Sequence, residues 1–278
     1  MSELYTLEGN AFFVAAYGAL LLPQIFLGVR CKTWGFLFGM FAGLVLEIIA
    51  YVGRIQLHYG NGRFVMYIVC ITIGPAFISA AIYLCLARLV VVYGEHLSRF
   101  RPRTIAITFM ILDFVALLLQ CAGGATVGGD NPSPSEFDRA LAILQAGLSV
   151  HLAGIVLFVI ISGDFAFTVC RNKHQWNQSF SGLHHSRKFQ VFIMSLAFAT
   201  LCILVRTAYR VAELVEGFYS DVARDENLFF GLEGAMVVAA CLSLTFCHPG
   251  WAFQNAWADA DFKLKIGKKT EQAGNSQK

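Results

Sequence analysis

The chain has 278 residues, of which 57% are hydrophobic and only 14% charged, with a formal net charge of +3 and a mean hydropathy of +0.61. An average soluble domain carries roughly 25% charged residues, so this chain lacks the polar surface that a soluble globule of its size needs. The composition excludes a soluble domain and predicts an all-α polytopic membrane protein.

Seven segments are apolar and long enough to cross a bilayer, which takes about 20 residues. In chain order they cover residues 10–29, 34–53, 64–92, 104–127, 140–167, 189–215 and 228–247. Short polar segments connect them. We therefore predict a seven-transmembrane-helix bundle over residues 1–250 and a basic tail over residues 251–278. The start of the tail is expected to lie at the membrane interface through its aromatic residues, which are Trp251, Phe253, Trp257 and Phe262.

Lysine and arginine are unevenly distributed between the two sets of connecting segments. The N-terminus and the segments after spans two, four and six hold four of these residues. The segments after spans one, three and five, together with the tail, hold fourteen. Because cytoplasmic loops carry the excess of Lys and Arg, we predict an external N-terminus and a cytosolic C-terminus. The expected location is the plasma membrane.

The sixth span carries ionisable residues where a membrane helix usually has leucine. At about 100° per residue, Arg206, Arg210 and Glu213 lie within roughly 60° of one another. Tyr209 and Glu216 extend that sector to about 120°. The charges therefore form one stripe, which can face the bundle interior while the apolar side meets lipid. Ionisable groups inside a membrane are costly and usually mark a substrate or ion path.

Three other spans carry polar residues on single faces, and the third span contains Pro75, which leaves a backbone carbonyl without its helical donor. The second span repeats the acid, phenol and guanidinium of the sixth in Glu47, Tyr51 and Arg54. The fourth span carries Asp113 and Gln120, which are seven residues apart, and the seventh carries one acid, Glu233. With the sixth-span stripe, they give ten candidate substrate-binding residues: Glu47, Tyr51, Arg54, Asp113, Gln120, Arg206, Tyr209, Arg210, Glu213 and Glu233.

The predicted orientation sets the depth of these groups. Spans two, four and six run outward and span seven runs inward, so nine of the ten lie in the outer half of the bilayer, with Asp113 nearer the middle. We therefore predict one polar cavity near the outer leaflet. Each of these residues also has a purely structural interpretation as the alternative to substrate binding. An Arg–Glu pair can hold two helices together, and Arg54 lies close enough to a helix end to reach water.

These residues also carry a family resemblance. The E-x-x-x-Y-x-x-R of span two, GPAFISAAIY of span three, D-x(6)-Q-x-x-GG of span four, RTAYRVAELVEG of span six and the closing HPG resemble the fungal RTA-like lipid-translocating exporters. The resemblance covers residues 10–250, and Glu233 stands where many relatives have Asp. It implies a seven-span protein that exports or flops sphingoid long-chain bases and confers resistance to toxic amphiphiles.

Three functions remain open at this point. The first is a transporter of lipids or amphiphiles, in which the acids bind a cargo ammonium or carry protons and the arginines hold hydroxyl or phosphate groups. The alternative is a seven-helix receptor or membrane-stress sensor without transport activity, although the usual receptor motifs are missing. The third is an intramembrane metal hydrolase, for which three His-rich ligands are needed, whereas His151 is the one histidine well inside a span.

The expected partners are membrane lipids or amphiphilic small molecules. We expect neither an enzymatic activity nor a cofactor, a metal ion or a bound nucleic acid. The small residues of spans three and five leave a homo-oligomer open.

Overall fold

The computed structural model describes residues 6–60, 64–127, 133–216, 225–254 and 256–260. These residues contain seven helices long and apolar enough to span a membrane, which confirms the all-α, seven-helix prediction. The first six are α1 (Leu7–Arg30), α2 (Trp34–His58), α3 (Phe64–Tyr93), α4 (Pro102–Val127), α5 (Pro134–Arg171) and α6 (Arg187–Glu216). The seventh, α7, joins a short α-helical start (Glu226–Leu228), a π-helical segment (Phe229–Ala235) and an α-helical remainder (Met236–Phe246).

The first six predicted spans lie within one of these helices each, and the seventh, 228–247, ends one residue beyond α7. Most of the helices extend further than predicted at one or both ends. The largest extension is in α5, which has 38 residues. The hydroxyl of Ser133 lies 2.7 Å from the carboxylate of Glu136, and that carboxylate accepts a hydrogen bond of 2.9 Å from the Ser133 backbone N–H. This capping box satisfies backbone groups at the helix start. The helix therefore begins at its cap, well before the first apolar residue of the span.

Consecutive helices are neighbours in the bundle, and α7 packs against both α6 and α1. The central position belongs to α3, since 67% of its apolar window is buried, compared with 28% for α5. Glycines allow α2 to approach α3 closely. A Cβ atom at Gly39 would lie 2.8 Å from the Phe77 carbonyl oxygen, and one at Gly43 would lie 2.6 Å from a side-chain carbon of Ile78.

Two of the first tail residues pack against the bundle. Phe253 is fully buried and Trp257 is 7% exposed. Arg88 of α3 lies 4.0 Å from the Trp257 ring centroid and donates a hydrogen bond to the Trp257 carbonyl. These two aromatic residues contact the bundle because the turn after α7 folds them against it, and the interfacial start of the tail stays a prediction. Trp251 is 52% exposed, and Phe262 lies outside the described residues.

Candidate functional site

Arg206 of α6 is fully buried and joins α6 to two other helices. Its Nε atom donates to Glu233 Oε1 of α7 over 2.8 Å. Its Nη2 atom donates to the same oxygen and to the backbone carbonyl of Ile71 in α3. Pro75 lacks the N–H that would normally donate to the Ile71 carbonyl within the helix. Arg206 donates to that carbonyl instead. The proline in α3 thus leaves a backbone carbonyl free to accept a hydrogen bond from an arginine in α6.

Arg210 extends this contact by one helical turn. Its Nη1 atom donates to Glu213 Oε2 over 2.6 Å, and its Nε atom lies 3.3 Å from Glu233 Oε2. Arg210 Nε and Glu233 Oε2 therefore form an ion pair, but they are not oriented as a hydrogen bond requires. The carboxylate of Glu233 therefore lies between two guanidinium groups. We call Arg206, Arg210, Glu213 and Glu233 the charge network; each is at most 7% exposed, and its two positive charges match two acids.

The π-helical segment of α7 positions Glu233. Wider turns of this kind are rare and often occur at functional sites. The segment also turns the Gly234 carbonyl toward α1, where it accepts a hydrogen bond of 3.1 Å from the Tyr17 hydroxyl. A Cβ atom at Gly234 would lie 2.6 Å from the Phe13 ring and from the Tyr51 hydroxyl. Glycine is therefore required for α7 to approach α1 and α2 this closely.

Glu47 of α2 is an acid without a cation at contact distance. Its side chain is buried, at 1% exposure, and its Oε1 atom has no hydrogen-bond partner among the described residues. The carboxylate lies against α3, since a Cβ atom at Gly74 would be 2.9 Å from Oε1. It is close enough to Arg206 and Glu233 to interact with them electrostatically. Since the network is already balanced, Glu47 adds an acid that no described cation neutralises by contact.

Two tyrosines near these acids also have buried hydroxyls without partners in the described residues. Tyr51 lies one turn after Glu47 on α2 and stacks on Phe13, with ring centroids 5.0 Å apart. Tyr209 of α6 is 7% exposed and lies within electrostatic range of Glu213. Neither hydroxyl donates to a described acceptor. Unsatisfied buried polar groups are uncommon in folded proteins, so these two hydroxyls are candidate ligand contacts.

Arg54 belongs to a separate polar group nearer the end of α2. Its Nε atom donates to Asn10 Oδ1 of α1, and its Nη1 atom contacts the Tyr67 hydroxyl of α3, both over 2.9 Å. Its Nη2 atom lies 3.5 Å from Glu226 of α7, and its guanidinium lies 3.8 Å from the Phe229 ring centroid. At 4% exposure, Arg54 does not reach water as the alternative interpretation supposes, because α1 and α7 cover it.

Asp113 and Gln120 face α5 instead of the charge network. The Oδ1 atom of Asp113 lies 2.9 Å from Nδ1 of His151, and both residues are less than 5% exposed. Gln120 packs against Gly147, where a Cβ atom would lie 2.8 Å from its Cγ atom. His151 therefore joins the polar residues of the membrane interior, although it is absent from the ten candidates.

The ten candidate residues thus occupy three places. Glu47, Tyr51 and Tyr209 lie around the charge network, Arg54 lies toward the α2 end, and Asp113 and Gln120 lie between α4 and α5. The sequence predicts a polar cavity where the charge network lies. In the structure the four side chains of the charge network contact one another directly. In the part of the chain that the structure describes, no three His, Cys, Asp or Glu side chains converge as a metal site requires.

Comparison with known proteins agrees with the motif resemblance. The chain is 27% identical to the sphingoid long-chain base transporter RSB1 of Saccharomyces cerevisiae (strain Lalvin EC1118 / Prise de mousse), over 89% of this chain and 72% of that protein. It is 25% identical to Protein RTM1 of Saccharomyces cerevisiae, over 76% of this chain and 66% of that protein. It is also 23% identical to protoporphyrin uptake protein 1 of Saccharomyces cerevisiae (strain ATCC 204508 / S288c), over 74% and 66%.

No solved structure matches the chain. A family profile described as "RTA1 like protein" matches residues 40–256. That range contains the charge network, Arg54, Asp113 and His151, and it covers most of the bundle. The chain therefore belongs to the RTA1-like protein family.

Proposed function

We propose that this chain is a membrane transporter of amphiphiles, and that its cargo is a sphingoid long-chain base or a lipid with a similar cationic headgroup. Two relatives support transport, since one is named a sphingoid long-chain base transporter and another an uptake protein. The seven apolar helices place the chain in a membrane. Location in the plasma membrane, with the C-terminus in the cytosol, belongs to the same proposal.

The uncompensated carboxylate of Glu47 is the observation that carries the choice of a cationic cargo. A sphingoid base has one ammonium group with hydroxyl groups beside it. In a medium of low dielectric constant an ammonium needs an acid at contact distance, and Glu47 is a buried acid that no described cation contacts. The Tyr51 hydroxyl, one turn away, can bond a cargo hydroxyl. Glu47 can hold a proton or the ammonium, but not both, which links cargo binding to proton release.

The charge network has a different role in this proposal. Arg206 and Arg210 are each paired with an acid, so they do not repel a cation that approaches Glu47. They also join α6 to α3 and α7 through contacts that can be exchanged for contacts to cargo. An ammonium that reaches Glu233 competes with Arg206 for the carboxylate. Such competition would loosen the junction between α6 and α7 when cargo is present.

The proposal is tested by measuring efflux of a labelled long-chain base from cells that express Glu47→Gln. This change keeps the size of the side chain and removes its charge, and we expect the initial efflux rate to fall to the level of cells without the protein. Asp138→Asn is the matched control, because Asp138 is an exposed acid at the start of α5 and its change should leave the rate intact. Equal amounts of protein in the membrane are verified for both.

Wild-type efflux by Glu47→Gln would contradict the assignment of Glu47. If purified wild-type protein binds the base but does not move it between the leaflets of a liposome, the chain is a sensor and the transport proposal is wrong.

A further inference from the structure

A basic cavity of about 310 Å³ lies where α6 begins and α7 ends, at the end of the bundle predicted to be cytosolic. It adjoins an apolar groove of about 430 Å³ between α1 and α7. The two share Phe246 and Trp251 in their walls, so a cavity with two basic side chains lies beside an apolar groove. A phospholipid has the same division, with a charged headgroup on an apolar chain.

His248 supplies a directional group in the wall of the basic cavity. Its side chain is fully buried, and its ring lies edge-on to Phe36 with centroids 5.4 Å apart. Its Nδ1 atom accepts a hydrogen bond of 3.1 Å from the Gly250 N–H, so in the neutral ring the proton is on Nε2. That Nε2–H has no acceptor among the described residues. A buried donor of this kind calls for an acceptor oxygen from a ligand.

The charge of the cavity indicates an anionic ligand. Arg187 and Lys188 are the first two residues of α6 and line the cavity. Within the described part of the chain, neither forms an ion pair with a carboxylate. The free backbone N–H groups at the start of a long helix add partial positive charge. Two cations, a helix N-terminus and the His248 donor together suit a phosphate group.

The adjoining groove can hold an acyl chain. Its walls are almost entirely apolar and come from α1, α7 and the turn that follows α7; they include Leu20, Leu27, Val238 and Leu242. Small residues on α1, Ala16 and Ala19, open the space. The groove extends from the basic cavity toward the middle of the membrane, in the direction of a lipid chain.

We propose that this cavity and groove form one site for an anionic glycerophospholipid, with its phosphate at Arg187, Lys188 and His248 and an acyl chain in the groove. The lipid would connect α1, α6 and α7 at the end of the bundle opposite Arg54. The site shares no residue with the charge network, so the proposal stands independently of the transport function.

Native mass spectrometry of the purified full-length chain, with equal amounts of phosphatidylserine and phosphatidylcholine, tests the headgroup site. We expect the wild type to retain phosphatidylserine preferentially and the double change Arg187→Gln/Lys188→Gln to reduce its binding about tenfold or more, because charge-assisted hydrogen bonds to phosphate are strong. Arg171→Gln/Lys173→Gln is the matched control, since it removes two exposed charges at the same end and should retain the lipid. Equal loss in both double variants, or equal retention of both lipids by the wild type, would overturn the proposal.

A second pair of variants tests the groove. Ala19→Phe places a ring in the groove and should weaken phosphatidylserine binding, whereas Ala15→Phe, on the same helix but outside the groove lining, should not. Thermal unfolding of every variant shows that it is folded. If inorganic phosphate displaces the lipid fully and Ala19→Phe binds like the wild type, the cavity is a simple anion site and the lipid proposal is wrong.

Discussion

Glu233 is the residue on which the charge network depends most, because its carboxylate contacts both Arg206 and Arg210. Glu213 contacts Arg210 alone. Removing one partner of a buried ion pair costs more than replacing the whole pair with apolar side chains. The two acids should therefore differ in their contribution to stability, although both are buried members of the charge network.

We predict that Glu233→Gln lowers the stability of the protein by about 3–5 kcal/mol, and that Glu213→Gln lowers it by less. The first change leaves the buried Arg206 without an acid at contact distance, because Glu213 contacts only Arg210. The second change leaves both arginines in contact with Glu233. Thermal unfolding in detergent measures both. The double change Arg206→Met/Glu233→Met should recover part of the loss, because it removes the pair together. Equal shifts for the two single variants would contradict the network as described.

Helical spacing alone predicts which residues share a face, as it does for Arg206, Arg210 and Glu213. It does not predict which residue on another helix each will contact. The pairing of Asp113 with His151 depends on how α4 faces α5. The contact of Arg54 with Asn10 requires the start of α1 to lie beside the end of α2. Such contacts depend on the order of helices in the bundle, and no short segment of sequence contains that order.

Among the elements, α7 has the most unusual backbone, because its π-helical segment contains two glycines in different surroundings. A Cβ atom at Gly234 would lie 2.6 Å from two aromatic side chains, whereas one at Gly231 would have nothing within 4 Å. The two positions give a matched pair within one turn of structure. The sequence marks both as glycines but does not show which of them has a close neighbour.

Gly234→Ala should destabilise the protein by about 1–3 kcal/mol, the usual cost of overpacking a filled interior. Gly231→Ala should be neutral or slightly stabilising, since alanine is favoured over glycine in helices. Unfolding temperatures of the purified variants provide the comparison. If Gly231→Ala lowers the unfolding temperature more than Gly234→Ala does, the close packing of α7 against α1 and α2 at Gly234 is contradicted.

The connection between α5 and α6, which is predicted to be cytosolic, contains a buried histidine. His184 stacks on Tyr93, with ring centroids 4.9 Å apart and an angle of 10° between the rings, and its Nε2 atom lies 3.1 Å from the Val92 carbonyl oxygen. Burial lowers the pKa of His184 below its ordinary value, the bond to Val92 offsets part of that shift, and the neighbouring His185 lowers the pKa further. The ring is therefore neutral when it holds this connection against α3.

Acidification should destabilise the protein through His184. Below its ordinary pKa of about 6.5 the unfolded chain takes up a proton that the folded chain resists, so stability is complete above that pH and decreases as the pH falls toward the lower folded value. His184→Gln should show a smaller loss of unfolding temperature than the wild type between pH 7 and pH 5. His174→Gln, at an exposed histidine of the same connection, should keep the wild-type dependence; a wild-type slope in His184→Gln would refute the assignment.

The whole molecule is a bundle around α3, with the charge network on one side of it and the Asp113–His151 pair on another. Composition and span length predict the seven helices, because both depend only on the need to bury backbone groups in lipid. The docking of Phe253 and Trp257 beneath the bundle was beyond that prediction, since aromatic residues after a span equally suit the membrane interface. Which neighbours these two rings contact depends on the fold of the whole chain.

The orientation of the bundle remains a prediction from the distribution of Lys and Arg. In a Cys170→Ser background, which removes the exposed thiol, a membrane-impermeant maleimide should label Ser135→Cys in intact cells. It should label Ser179→Cys only after the membrane is opened. Both serines are exposed, and they lie at opposite ends of the bundle. The reverse pattern of labelling would invert the predicted topology.

The most direct measurement of the central claim compares two amphiphiles in liposomes that contain the purified chain. One is a fluorescent sphingoid base, and the other is its N-acetylated analogue, which has the same chain without the ammonium charge. The wild type should move the base at least about tenfold faster than the analogue, the equivalent of one good charge contact. Glu47→Gln should abolish this preference. If Glu47→Gln keeps the full preference for the ammonium, Glu47 does not hold the cargo headgroup and the account is wrong.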